Sequence, residues 1–178
     1  MEKVEKKPNR SLTGELSDVF DDLDWASINN CPFICTQNVN LRWLQFRINN
    51  RIIGTNSFLF KINILDTDKC AFCKNETETI KHIFFSCYIV KQFWQKLADY
   101  VNEKTHSRFD NFSYNLIKFG CKDKTFSFIL LVAKYYIYKC KYSNNEISFE
   151  VFLRILKSYF DTEKYVALTT GKITHFNF

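Results

Sequence analysis

Cys70, Cys73, His82 and Cys87 follow one another at the spacing C-x2-C-x8-H-x4-C. The two thiols of a C-x2-C knuckle leave a tight turn on the same side and converge on one point. His82 lies far enough on to arrive from a separate short helix, and Cys87 just beyond that helix can fold back and close a tetrahedron. Three thiolates and one imidazole suit borderline-soft Zn²⁺, and a filled four-ligand shell leaves no position for a substrate. The chemistry read from these residues is therefore one structural zinc ion. Three thiolates, a neutral imidazole and Zn²⁺ sum to one negative charge, and Lys69, Lys74 and Lys81 stand nearby in sequence to offset it. Two rival readings stay open on the residues alone. One is a redox C-x-x-C, which belongs at a strand-to-helix turn in a βαβ setting; the other is a set of buried thiols around a core histidine.

The elements that must position these ligands read as helices. The chain has nineteen Phe but only four Gly and two Pro, too few breakers for an all-β sandwich. Val19, Phe20, Leu23 and Ile28 suggest short helical turns anchored by Trp25, ended by Asn30-Cys31-Pro32. Leu41, Leu44, Ile48 and Ile52 recur at helical spacing between Asn38 and Ile53, with Gly54 as the stop. A short helix follows through Phe58, Leu59, Phe60 and Ile62. His82 is expected on a helix opened by Asn75 or Thr77, with Glu78 placing its charge in the first turn. Val90, Phe93, Trp94, Leu97 and Val101 form one stripe. Residues 126–140 are apolar almost all round, which marks the most buried helix, and Phe149, Phe152, Leu153, Leu156 and Phe160 stripe a last one. The expected fold is mostly α: a helical domain with a small Cys₃His zinc knuckle inserted between helices. Its parts are a flexible N-terminal arm at 1–17, the zinc-binding helical domain at 18–170 with the knuckle at 69–88, and a C-terminal tail at 171–178.

No other residue group assembles into a catalytic site. There is no P-loop, no G-x-S-x-G and no H-E-x-x-H. Asp21-Asp22-Leu23-Asp24 forms no paired-carboxylate metal site, and His106 and His175 read as surface residues. Cys31 and Cys35 stand four apart, and Cys121 and Cys140 are scattered; all four read as inert buried thiols. Seven cysteines without a disulfide-like spacing, no apolar leader and no run long enough for a membrane span predict a reducing compartment, nucleus or cytoplasm, and no membrane partner. The formal net charge of +6 leans towards polyanions.

Cys70-x2-Cys73, Glu78-Thr79, His82, Phe84 and Cys87, followed by Trp94, resemble the zinc-binding region at the C-terminal end of LINE-type (non-LTR) retrotransposon reverse transcriptases. Trp25, Ile28, Pro32-Phe33, Cys35-Thr36 and Leu41 through Ile48 resemble the segment before that region, as do Arg51-Ile52, Asn56, Leu59-Phe60 and Ile62. Ile129-Leu130, Ala133-Lys134, Ile137-Tyr138, Phe152-Leu153 and Glu163 through Ala167 resemble the helical tail after it, so the likeness spans roughly residues 18 to 170. The resemblance implies a piece of a larger polymerase that helps engage RNA or target DNA, with the rest of the polypeptide as a partner. The polymerase's own signature, an aromatic, any residue and two Asp, is absent: Phe20-Asp21-Asp22 lacks the intervening residue. The expected function is a zinc-stabilised nucleic-acid-binding module without polymerase activity of its own. Arg42, Trp43, Arg47, Arg51, Lys69, Lys74 and Lys81 are its candidate contacts, since Arg pairs with phosphate and exposed rings stack on unpaired bases. The alternative is a zinc-stapled protein-interaction or oligomerisation module. Oligomeric state, RNA against DNA, and sequence specificity have no signature in the chain.

Overall fold

The computed structural model describes residues 25–105, 112 and 123–170. Within them six helices appear: α1 (Trp25–Cys35), α2 (Val39–Asn49), α3 (Asn56–Lys61), α4 (Tyr88–Thr105), α5 (Lys124–Ser143) and α6 (Phe149–Thr170). A π-helical turn at His82–Ser86 leads into α4. The described residues contain no strand, only an isolated antiparallel bridge between Lys69 and Thr77. The protein is mostly helical, with its Cys₃His cluster set between α3 and α4. No described helix is long and apolar enough to cross a membrane. The proposed arm at 1–17, the tail at 171–178, and His106, Cys121 and His175 lie outside the described residues.

α5 is the hub, packed by α1, α2 and α6. It buries residues on every side, from Phe126 and Phe128 through Leu130, Val132 and Ala133 to Ile137 and Cys140. Asp123 caps its start by accepting from the Phe126 amide at 2.8 Å, and Asn144 ends it in the left-handed conformation. α4 buries Val90, Phe93, Trp94, Leu97 and Val101, the stripe expected from sequence. Phe93 meets Phe152 of α6 edge-to-face at 5.0 Å, and Trp94, Phe112 and Phe126 continue the ring contacts. The surplus of Phe is spent on joining helices.

Two boundaries differ from the sequence reading. Asn30-Cys31-Pro32 does not break the chain: α1 runs on to Cys35, because Pro32 forfeits a single amide bond while Ile28, Pro32 and Cys35 stay buried. α2 stops at Asn49, well before Gly54. Arg51 takes the left-handed position (φ 57°), and the Ile52 amide turns back to the Arg47 carbonyl at 3.0 Å. Gly54 serves close approach: a Cβ there would sit 2.9 Å from the Tyr142 hydroxyl, which donates to the Gly54 carbonyl at 2.8 Å.

Candidate metal centre

Two backbone pairs build the knuckle. The Cys70 amide donates to the Glu76 carbonyl and the Glu78 amide to the Asp68 carbonyl, both at 2.8 Å, so residues 68–70 lie against 76–78. Between them the chain reverses: the Lys74 amide reaches the Cys70 carbonyl at 3.0 Å, and Lys74 itself is left-handed (φ 57°). The turn throws Cys70 and Cys73 to one side, and the Phe72 amide lies 3.4 Å from Cys70 Sγ.

His82 reaches the same point from the π turn. Thr79 opens that turn, accepting from the His82 amide at 3.0 Å. The expected openers have other work: Thr77 occupies the bridge to Lys69, and Asn75 stays exposed in the loop. The wider π turn carries the chain from His82 to Cys87 without spending a full helical step, and the Cys87 amide closes it on the His82 carbonyl at 2.9 Å. Cys87 then stands at the mouth of α4, where the backbone amides of Ile89 and Val90 face its sulfur.

The four donor atoms of Cys70, Cys73, His82 and Cys87 all lie within 4.8 Å of one another. Cys70 Sγ and Cys87 Sγ are 3.9 Å apart, and Cys73 Sγ and His82 Nε2 are 3.3 Å apart. Zinc–sulfur and zinc–nitrogen bonds of about 2.3 and 2.1 Å at tetrahedral angles require separations of roughly 3.8 and 3.6 Å. The donor set fits one zinc ion. Cys70, His82 and Cys87 are buried and Cys73 is half-buried, so the packed helices shield the cluster. With Nε2 turned to the thiols, His82 Nδ1 faces Glu76 Oε2 at 3.3 Å, the carboxylate contact that fixes the tautomer of a metal-binding imidazole. The Cys87 thiol is drawn down to about 5, first by its hydrogen bond with Cys70, with the α4 amides adding to the effect. Cys70 is driven upward by the same contact and by burial. The cluster thus presents a ready thiolate at the positive end of a helix.

Glu78 departs from its expected place. Its side chain is fully buried, and it is no first-turn surface charge. Oε2 accepts from the Ala71 amide, inside the C-x2-C turn, and Oε1 from the Asn56 amide at the start of α3, both at 2.8 Å. Lys141 of α5 closes on Oε1 at 2.6 Å and also donates to the Gly54 carbonyl. One carboxylate therefore holds the knuckle, α3 and α5 together. Sequence reading missed this role, because Lys141 stands near the end of α5 between the exposed Lys139 and Tyr142 and carries no local sign of a buried partner.

The basic and aromatic candidates separate into four groups. Trp43 is 56% and Phe46 46% exposed on α2, and their rings stack at 5.2 Å and 10°. Arg42 lies over the Phe33 ring and donates to the Thr36 and Phe33 carbonyls and to Gln37, while Arg47 donates to the Tyr138 hydroxyl at 3.0 Å. Arg51 is half-buried at the left-handed turn after α2. Lys69, Lys74 and Lys81 are exposed around the knuckle. Phe46 was legible only as the ring three places after Trp43.

No curated protein and no solved structure matches the chain. Residues 21–94 match the family model described as zinc-binding in reverse transcriptase, a stretch that contains all four ligands and the Trp43–Phe46 pair.

Proposed function

We propose that this chain is a zinc-stabilised module that binds single-stranded nucleic acid, derived from the C-terminal region of a LINE-type reverse transcriptase and without polymerase chemistry of its own. The observation that carries the reading is the exposed, nearly parallel Trp43–Phe46 stack. A parallel pair of rings facing water offers bases a stacking platform that reads no particular sequence. Arg42 and Arg47 flank it in sequence, and the described partners of both are neutral oxygens or rings, so their charge stays available to phosphate. Lys69, Lys74 and Lys81 extend the positive surface beside the knuckle. Zinc acts by holding the helices; its four donors complete its shell.

The test is fluorescence anisotropy with labelled single-stranded RNA, single-stranded DNA and duplex DNA, across a salt series. Stacking is worth about 1–3 kcal/mol per base, so Trp43→Ala and Phe46→Ala should each weaken single-strand binding about 5- to 150-fold with zinc content unchanged. Single-strand affinity that both variants leave intact would overturn the proposal.

A second reading is a protein-interaction module. It rests on the exposed apolar run Phe58, Phe60, Ile62, Ile64 and Leu65 beside the knuckle. A stable dimer by light scattering, disrupted by Phe60→Ser with oligonucleotide binding absent, would favour it.

A further inference from the structure

Among the described residues, one other pair of thiols meets outside the zinc cluster. Cys31 and Cys35 are successive turns of α1, with Sγ atoms 3.7 Å apart. Cys35 is buried and Cys31 half-buried at the contact between α1 and α5. From α5, Ser127 hydrogen-bonds to Cys31 and the ammonium of Lys134, itself 1% exposed, acts on the same sulfur. The Cys31 thiol is drawn down to about 6, first by its hydrogen bond with Cys35, with Ser127 and Lys134 adding to the effect against the cost of burial. A thiolate held near a buried cation, within reach of solvent and beside a second thiol, has the three attributes of an oxidation-sensitive cysteine with its resolving partner.

We infer that Cys31 and Cys35 form a peroxide-reactive dithiol, Cys31 being the nucleophile and Cys35 the resolving thiol. In the first step the Cys31 thiolate attacks one oxygen of hydrogen peroxide. The S–O bond forms as the O–O bond breaks, and hydroxide leaves to take a proton from solvent. In the second, the Cys35 sulfur attacks the Cys31 sulfenic acid; the S–S bond forms, the S–O bond breaks, and the departing hydroxide leaves as water with the Cys35 proton. Two thiols and one peroxide yield one disulfide and two waters, and the pair supplies both electrons.

Closing the bond deforms α1. Cβ atoms four apart on a helix stand about 5–6 Å from each other, whereas a disulfide holds them at about 3.5–4.5 Å. Pro32, lying between the two cysteines, has already removed one amide bond from this stretch, which makes it the part of α1 least costly to unwind. The next residues, Thr36 to Asn38, carry the corner into α2, and Arg42 is tied to the Phe33 and Thr36 carbonyls. Oxidation therefore acts on the corner that orients the Trp43 face.

The test treats the zinc-loaded full chain with stoichiometric hydrogen peroxide, alkylates the remaining thiols and maps tryptic peptides. Cleavage after Arg10 and Arg42 places Cys31 and Cys35 alone on one peptide, separate from the zinc ligands. The wild-type peptide should lose two hydrogens and resist alkylation, and recover on treatment with dithiothreitol. Cys35→Ser should leave a sulfenic acid at Cys31 that dimedone traps, and Cys31→Ser should leave Cys35 unmodified at the same dose. Zinc content and far-UV circular dichroism check that both variants are folded; a misfolded serine variant is replaced by the alanine one. A wild-type peptide still fully alkylated after zinc has been released from the other site would overturn the inference, as would equal oxidation of Cys35 without Cys31.

Discussion

Lys141→Met isolates the physical tie between the knuckle and the helices. The Glu78 side chain is 0% and the Lys141 side chain 6% exposed, so the substitution leaves a buried carboxylate without its cation. Breaking a buried pair from one side costs about 3–5 kcal/mol. Here the lower end applies, because Glu78 keeps the Asn56 and Ala71 amides, and the Gly54 carbonyl keeps the Tyr142 hydroxyl. The expected loss is about 3 kcal/mol in urea unfolding of the zinc-saturated protein at fixed free zinc. Because Oε2 holds an amide within the C-x2-C turn, zinc affinity by chelator competition should also fall, by about tenfold. Glu78→Gln with Lys141→Met removes both charges, and its cost should be smaller than the two single costs together by at least about 1 kcal/mol. A Lys141→Met loss below about 1 kcal/mol, with zinc affinity unchanged, would refute the argument. It would mean that the carboxylate is adequately held by its two amides and that α5 does not brace the metal site.

Two other perturbations test the frame around the site. Stripping zinc with a chelator should free the π turn; Trp94, whose indole N–H donates to the Phe84 carbonyl at 2.7 Å, should shift its emission to the red in a Trp25→Phe, Trp43→Phe background and recover on adding zinc, and an unchanged spectrum would show that the metal does not order this turn. Glu163→Ala removes a buried acceptor that receives the Thr36 hydroxyl and the Gln37 and Asn38 amides; with charged hydrogen bonds at about 1.5–3 kcal/mol each, a loss of about 3 kcal/mol in the same unfolding assay is expected, and a loss under about 1 kcal/mol would mean that water replaces the carboxylate.

The ligands were legible because their chemistry is local: thiols and an imidazole at those intervals have few other uses, and short turns bring them together. The stripes on α4 and α5 were legible because burial follows helical period. What the chain hid was the second use of polar residues. Glu78 sits two residues before Ile80, in the place where a helix-opening acid would stand, and nothing local reveals that Lys141, sixty-three positions later, will meet it. Glu163 lies on α6, whose other side chains are largely exposed or half-buried, and only the three-dimensional path of residues 36–38 shows why it is buried. Pro32 misled for a related reason: its cost to a helix is a local quantity, while the packing of α1 on α5 that outweighs it is not.

Those long-range ties bear on what the zinc region is. The match to the family model ends at residue 94, yet the carboxylate inside the knuckle is completed by Lys141, and the corner into α2 by Glu163. Zinc fixes Cys70, Cys73, His82 and Cys87 to one another and thereby joins the knuckle to the mouth of α4. Glu78 carries that order to α3 and α5, and Glu163 carries it from α6 to the start of α2, the helix that presents Trp43 and Phe46. The metal and the stacked rings thus belong to one chain of buried contacts that runs through the helices beyond the matched stretch. Glu163→Ala is therefore expected to act on the aromatic face through residues 36–38, from which α2 starts, without contact with the rings themselves.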